Sequence, residues 1–156
     1  FSAAAASAVR GSGLGLLGIG LPDIPLFAAS LLRSLGQIAR GYGYITSTRK
    51  ERRIMLLVLD AALAGGMEYP ALSDQLDQAL SGSELTGLSE QELADRVAGK
   101  LAEELLAAKF LQGIPLAGVV GGVLDSRLTA RLLDYAALKY NRRFLLDHRP
   151  AGAAGL

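Results

Sequence analysis

The chain offers few side chains for acid–base or nucleophilic catalysis. It contains no cysteine and a single histidine, His148, which follows Asp147 near the C-terminus. Adjacency in sequence does not produce the geometry of a catalytic dyad, because that geometry depends on the fold. A lone histidine near a chain end is typical of a solvated side chain. His148 is nevertheless the one histidine that a hydrolase built on this chain would have as its base.

The carboxylates are not spaced as a metal site or an acid–base pair. No HExxH or similar spacing occurs, and a zinc site would have to consist mostly of carboxylates. Asp74 and Asp77 share one face of a predicted helix, and Glu90 shares a face with Glu103 and Glu104 on the next. We interpret these acids as solvent-exposed, without a basic partner that would tune them. The sequence therefore predicts no catalytic residue, no cofactor and no metal.

Three glycines, Gly13, Gly15 and Gly18, have the spacing of a dinucleotide-binding turn. That motif needs a strand before the glycines and an acidic residue about 20 positions later. The preceding AAAASAVR favours a helix instead, and no Asp or Glu occurs from Ile24 to Lys50. The glycines are therefore not interpreted as a nucleotide site.

The same glycines suit close packing of helices. Gly11 and Gly15 have small-xxx-small spacing, as do Gly118 and Gly122 in a second apolar segment. Both a broken or re-entrant helix pair in a membrane and the central helices of a soluble bundle use such spacing, so both alternatives stay open. The candidate membrane-facing positions are Gly11, Gly15, Gly18, Pro22, Pro25, Pro115, Gly118 and Gly122.

Charge is distributed unevenly along the chain. Residues 1–67 carry seven basic and three acidic side chains, residues 68–104 carry two and nine, and residues 105–156 carry seven and three. The blocks either neutralise one another in the fold or form a basic face for an anionic membrane. The candidate basic surface comprises Arg49, Lys50, Arg52, Arg53, Lys139, Arg142 and Arg143. Nucleic acid is not a predicted partner, because no base-stacking aromatics or binding motif accompany the charge.

A polar stripe follows the predicted helix after Pro25. Its members recur every three or four residues: Ser30, Arg33, Ser34, Gln37, Arg40 and Tyr44. Because leucines surround Arg33, we expect this side chain to be buried or half-buried, and either paired with a carboxylate or open to an anion-binding cleft. The candidate partners are Asp60, the only charge in the next apolar run, and Asp125 and Asp134 on the final helix.

The elements that position these residues are all predicted to be helices. Thr48-x-x-Glu51 and Ser89-x-x-Glu92 have the pattern of capping boxes that begin a helix. The run from Ile54 to Ala64 is apolar on all sides except at Asp60, which predicts burial in a core or in lipid.

Further helices are predicted over residues 68–87, 89–112 and 116–147, the last weakened at Gly121-Gly122. The fold class is all-α: a compact bundle of five to seven helices, with apolar helices broken by Gly and Pro. We predict one domain over residues 1–156, which the non-Met start at Phe1 suggests is a fragment of a longer chain.

Two parts of the chain resemble the EcsC family of bacterial proteins. GLPDIPLFAASLLRSLGQIARGYGY (20–44) is similar to the family's Leu-Pro-x-x-Pro turn and the helix that follows it. KFLQGIPLAGVVGG (109–122) and LLDYAALKYNRRFL (132–145) are similar to its Ile-Pro-x-x-Gly element and closing basic helix. The family commonly has Glu where Gln37 stands and Asn where Asp125 stands, so the charges of the polar stripe can differ here.

The resemblance implies a helical, membrane-associated bacterial domain. The expected location is the cytoplasmic face of the inner membrane, peripheral or partly inserted. The expected partner is a membrane lipid or membrane protein, with an accessory role in secretion or ABC transport. A peptidase label sometimes accompanies the family name, but no nucleophile–base pair or metal set in this sequence supports it. We expect a non-enzymatic binding domain; the alternative is a peptidase-like hydrolase.

Overall fold

The computed structural model describes residues 24–82, 87–111 and 121–149, and all of their side chains except those of residues 25, 108–111 and 121–125. These ranges form five helices: α1 (Ile24–Gly41), α2 (Arg49–Leu63), α3 (Glu68–Leu80), α4 (Glu90–Leu111) and α5 (Gly121–Asp147). The described residues contain no strand, so the all-α prediction is confirmed.

Local capping sets the starts of α2 and α4. At α4 the capping box is complete: the Glu92 amide donates to Ser89 Oγ at 3.3 Å, and the Ser89 amide donates to Glu92 Oε2 at 2.7 Å. At α2 only half of it forms, because Thr48 Oγ1 accepts from the Glu51 amide at 3.1 Å while the Thr48 amide donates to Ile45 O at 3.4 Å. Both predicted helix starts are confirmed, and the Glu51 carboxylate is left for another partner.

The end of α1 corrects the predicted polar stripe. The Tyr44 amide donates to Ala39 O at 3.0 Å and the Gly43 amide to Arg40 O at 2.9 Å, which together close a Schellman motif. Gly43 adopts the positive φ of 87° that this motif requires. Tyr44 therefore lies in the turn after α1, and its assignment to the helix was wrong.

Helix α2 is the centre of the bundle. Every residue from Ile54 to Ala61 is buried, and α2 packs against each of the other four helices. A helix covered on all sides needs no polar face, which explains the uninterrupted apolar run in the sequence. Of the two environments predicted for this run, it occupies a protein core.

Interhelical contacts fix the helix directions. α2 and α4 run the same way, because ion pairs join their first turns and again their middles (Arg52–Glu90 and Asp60–Lys100). α5 runs the opposite way, since Tyr140, in its last part, reaches the first turn of α2.

α1 and α5 are parallel neighbours. The Tyr42 ring, just after α1, lies 5.9 Å from the Phe144 ring near the end of α5, and the two helices pack against each other. Their starts, Ile24 and Gly121, consequently lie towards the same end of the bundle.

Four helices surround α2 in the order α3, α4, α1, α5. α1 contacts both α4 and α5. α3 closes the ring on the other side, where Glu68 meets Arg96 of α4 and Asp77 meets Lys139 of α5. Among the described residues, none of the helices is both long enough and apolar enough to cross a bilayer.

Candidate functional site

A buried carboxylate joins α2 to α5. Glu51 accepts a hydrogen bond from the Tyr140 hydroxyl at 2.6 Å, and Arg143 Nη1 donates to both Glu51 oxygens, at 3.0 and 2.9 Å. Tyr140 is completely buried and the Arg143 side chain is 11% exposed. The capping-box glutamate therefore serves as a core acceptor for two side chains of α5.

The turn after α1 completes this group. The Arg143 guanidinium stacks on the Tyr44 ring, 3.8 Å from its centroid, and the Tyr44 hydroxyl donates to Asp147 Oδ2 at 2.8 Å. We call these five residues the Glu51 cluster: Glu51, Tyr140, Arg143, Tyr44 and Asp147. Each charged or hydroxyl group in it has a partner within the cluster, so its arrangement locks three elements together.

Three tyrosines, two of them in the Glu51 cluster, have raised pKa values. Burial, the nearby Glu51 carboxylate and its hydrogen bond raise the pKa of Tyr140 far above the ordinary 10.0. Burial and the hydrogen bond to Asp147 raise the pKa of Tyr44 to about 12, and burial raises that of Tyr135 to about 12. All three side chains are held in the neutral form by the fold.

Alkaline pH is therefore expected to unfold the protein. A group whose pKa is raised by folding stabilises the fold fully below its unfolded pKa of 10.0, and this contribution is lost as pH rises towards about 12. We expect helix content and phenolate absorbance to change together in a titration across that window. Complete phenolate formation near pH 10, with the helices intact, would contradict this expectation.

A second ionic group surrounds Asp60, which is 1% exposed. Lys100 Nζ lies 2.7 Å from Asp60 Oδ1, and Arg96 Nε lies 3.2 Å from the same oxygen. The Glu68 carboxylate contacts both of these cations, with Oε2 3.0 Å from Lys100 Nζ. The contacts to Asp60 are ion pairs without hydrogen-bond geometry. The predicted pairing of Asp60 with Arg33 is wrong, since the cations come from α4.

Arg33 is exposed, contrary to prediction. Leu31 and Leu35 are buried, and a residue two positions from each lies on the opposite face of a helix. Gln37 and Arg40 share the exposed face, and Arg40 Nη1 donates to Thr46 Oγ1 at 3.1 Å. The polar stripe is therefore the solvent face of α1, and the predicted buried cleft around Arg33 is wrong.

The predicted carboxylate partners on α5 do not form an observed ion pair with Arg33 either. Asp134 is exposed, and Asp125 lies outside the described side chains. Among the described side chains, no carboxylate lies within ion-pair distance of Arg33.

The predicted basic surface is also largely wrong. Arg52 binds Glu90 through two hydrogen bonds of 2.8 and 3.2 Å, and Arg53 Nη2 donates to Leu88 O at 2.8 Å. On α5, Lys139 is buried and Arg143 belongs to the Glu51 cluster, because the buried face of α5 passes through both. The members that remain exposed are Arg49, Lys50 and Arg142.

The acidic block instead neutralises both basic blocks. Asp77, predicted to face solvent, binds Lys139 at 2.7 Å and also Arg142. Burial alone would raise the pKa of Asp77, but the two cations lower it below its ordinary value. Other pairs of the same kind are Arg52–Glu90 and Arg131–Glu104. The pairs of Asp60 with Arg96 and Lys100 are the reverse, an acid of the first basic block with cations of the acidic block. The neutralising alternative accounts for these side chains.

Most of the remaining exposed charges lie on two sides of the surface, and Arg49 and Lys50, at the start of α2, belong to neither. The solvent faces of α1 and α5, with the residue that follows α5, form the basic side: Arg33, Arg40, Arg127, Arg131, Arg142 and Arg149, against Asp134 and Asp147. Large exposed apolar residues there and in the turn after α1 are Leu26, Ile45, Leu138, Leu145 and Leu146. The solvent faces of α3 and α4 form the acidic side: Glu68, Asp74, Glu92, Asp95 and Glu103.

His148 does not form a dyad with Asp147. Its Nδ1 lies 2.9 Å from Phe144 O, so this nitrogen donates to a carbonyl, and its ring stacks on Phe144 with centroids 4.0 Å apart. Asp147 accepts from Tyr44 instead. Within the described part of the chain, no three histidine or carboxylate side chains converge as a metal site.

Sequence reasoning missed the residues that organise both ionic groups. Glu51 was interpreted only as a cap, and Tyr140 was not considered. Arg96 and Lys100 had a usable signal: they are the only basic residues in the acidic block 68–104, and their spacing of four places them on one helix face.

Six of the eight predicted membrane-facing positions lie outside the described residues: Gly11, Gly15, Gly18, Pro22, Pro115 and Gly118. Pro25 and Gly122 lie in the first turns of α1 and α5. A proline in a first turn leaves no backbone hydrogen bond unmade.

Comparison with known proteins gives one family. The model of the EcsC protein family matches residues 2–145, which is nearly the whole chain. No match was found among curated proteins or among solved structures.

Proposed function

This chain belongs to the EcsC protein family, and we propose that it is a non-enzymatic, membrane-associated domain whose basic side binds an anionic bilayer. The observation that supports this is the division of the surface, with exposed arginines and leucines together on α1 and α5 and exposed carboxylates on α3 and α4. Basic side chains combined with exposed leucines are typical of surfaces that lie on a bilayer.

Three arginines of the basic side are free for lipid. Arg33, Arg127 and Arg149 make no ion pair with a described carboxylate, whereas Arg131 and Arg142 are paired with Glu104 and Asp77. Each Lys or Arg near an anionic leaflet contributes about 1 kcal/mol, and the cytoplasmic leaflet carries the anionic lipids. The proposal therefore places the domain on the cytoplasmic face, as a lipid-binding accessory to a membrane protein in secretion or transport.

The orientation also places the first turns of α1 and α5 next to the membrane. Residues 1–23 lead into α1 and residues 112–120 lead into α5, and these two helices begin towards the same end of the basic side. A bilayer that lies along α1 and α5 is consequently next to both points of attachment.

Flotation with lipid vesicles tests the proposal. We expect the protein to float with vesicles of phosphatidylcholine and phosphatidylglycerol and to be released in about 1 M salt, where the Debye length falls to about 3 Å. The triple variant Arg33→Gln, Arg127→Gln, Arg149→Gln should bind about 100-fold more weakly, since three contributions of about 1 kcal/mol are lost. A wild-type protein that stays soluble with these vesicles would end the proposal.

A matched variant separates geometry from net charge. Asp74→Asn, Asp95→Asn, Glu103→Gln removes three exposed charges from the acidic side. If the basic side faces the bilayer, this variant should bind like wild type, because its changes lie on the far side of the bundle. An increase as large as the loss in the arginine variant would mean that net charge alone drives binding.

A further inference from the structure

Two carboxylates of helix α3 are each bound by a pair of cations from a neighbouring helix. Glu68, at its start, lies 3.0 Å from Lys100 Nζ and contacts Arg96, both on α4. Asp77, near its end, lies 2.7 Å from Lys139 Nζ and contacts Arg142, both on α5. We call these the α4 clamp (Arg96 and Lys100) and the α5 clamp (Lys139 and Arg142). Each clamp uses one lysine and one arginine to hold one carboxylate of α3.

The local sequence gives α3 few features that would stabilise it as an isolated helix. It has 13 residues, and its N-cap, Met67, makes no side-chain capping bond. Glycines with positive φ stand on both sides, Gly66 at 50° and Gly82 at 95°. A helix this short is marginal without tertiary contacts, and glycines in that conformation are suited to act as hinges.

The groove under α3 is apolar in the middle and cationic at its edges. Leu72 and Leu76 of α3 are buried against the bundle, and α2 is the helix that α3 packs on most. Without α3, the two clamps would present four cations, balanced directly only by the buried Asp60. A groove of this kind is complementary to an amphipathic helix with acidic residues at both ends of its apolar face.

We propose that α3 is an exchangeable element, an internal ligand in a groove that accepts an acidic amphipathic helix from a partner protein. The partner helix would carry carboxylates spaced like Glu68 and Asp77, with leucines between them. Binding would displace α3 about its glycine hinges while α1, α2, α4 and α5 stay packed. The groove lies between α4 and α5, and its clamps include none of the three arginines that are assigned to lipid.

A peptide-binding experiment with the full chain tests this exchange. The probe is a fluorescent peptide of residues 66–82, and the variant is Glu68→Gln, Asp77→Asn, which keeps the shape of α3 but removes both clamped charges. We expect the variant to bind the peptide at least 10-fold more tightly than wild type, because its own α3 competes less well. A peptide with the same two substitutions should not bind. Equal affinity of wild type and variant, or binding of neither, would refute the proposal.

A second variant and a second measurement distinguish local opening of α3 from unfolding of the whole protein. Asp74→Asn, Glu103→Gln removes the same number of charges, both of them exposed, and should behave like wild type in the peptide assay. Hydrogen exchange should show faster exchange in α3 of the Glu68→Gln, Asp77→Asn variant, with α2 and α5 still protected. Simultaneous loss of protection in all helices would show that α3 does not open as a unit, and the proposal would fail.

Discussion

Replacing Glu51 with glutamine is expected to lower the free energy of unfolding by about 3 kcal/mol, because it leaves a buried cation without its counter-charge. Arg143 donates to both Glu51 oxygens and the Tyr140 hydroxyl donates to one of them, all within a largely buried site. An amide offers one acceptor oxygen where the carboxylate offers two, and it adds donors that face other donors. Urea unfolding followed by circular dichroism measures the loss.

An exposed ion pair serves as the control for Glu51. Glu104→Gln removes the same charge from a pair with Arg131 in which both side chains are at least 40% exposed, and it should cost less than about 1 kcal/mol. Replacing both partners, Glu51→Leu with Arg143→Met, should recover part of the loss, since no unpaired charge remains. If Glu51→Gln and Glu104→Gln cost the same, the Glu51 cluster does not lock the helices.

Replacing Leu132 with alanine should cost about 3 kcal/mol, in the usual range for a large-to-small change in a core. Leu132 is 0% exposed on the face of α5 that packs towards α2, whereas Leu138 on the same helix is 66% exposed. The identical change at Leu138 should cost less than about 0.5 kcal/mol. Similar costs at both positions, in thermal or urea unfolding, would show that α5 packs with a different face.

Helix starts were predictable because their signals are local. Ser89 and Glu92 are three residues apart, and their side chains complete the predicted capping box in the fold. The Thr48 and Glu51 pattern marked its helix start equally well, but the destination of the Glu51 side chain depends on α5, far away in sequence. A local pattern locates the backbone, whereas the partner of a charge depends on which helix packs beside it.

The error at Arg33 arose from treating sequence neighbours as spatial neighbours. The leucines next to Arg33 suggested an apolar environment. The buried apolar side chains of α1 are those of Ile24, Phe27, Leu31, Leu35 and Ala39, which recur with the period of a helix and leave position 33 on the opposite face. That periodicity was already present in the sequence.

The partners of Asp60 required the packing of the whole chain. The apolar run around Asp60 correctly predicted its burial, and a buried carboxylate needs cations. The identity of these cations depends on the parallel arrangement of α2 and α4, which places Asp60 beside Arg96 and Lys100.

The central position of α2 also shapes how the protein is made. A ribosome completes α2 before α3, α4 and α5 exist, so the apolar surface from Ile54 to Ala61 is at first covered by α1 alone. Chains grow at about 5–20 residues per second, and exposed apolar surface on an incomplete chain favours aggregation. In a nascent chain of this protein, the apolar helix α2 is therefore incompletely covered for several seconds, until α5 has been made and packs against it. We expect its yield in a cell to fall when this helix is not protected from aggregation during that interval.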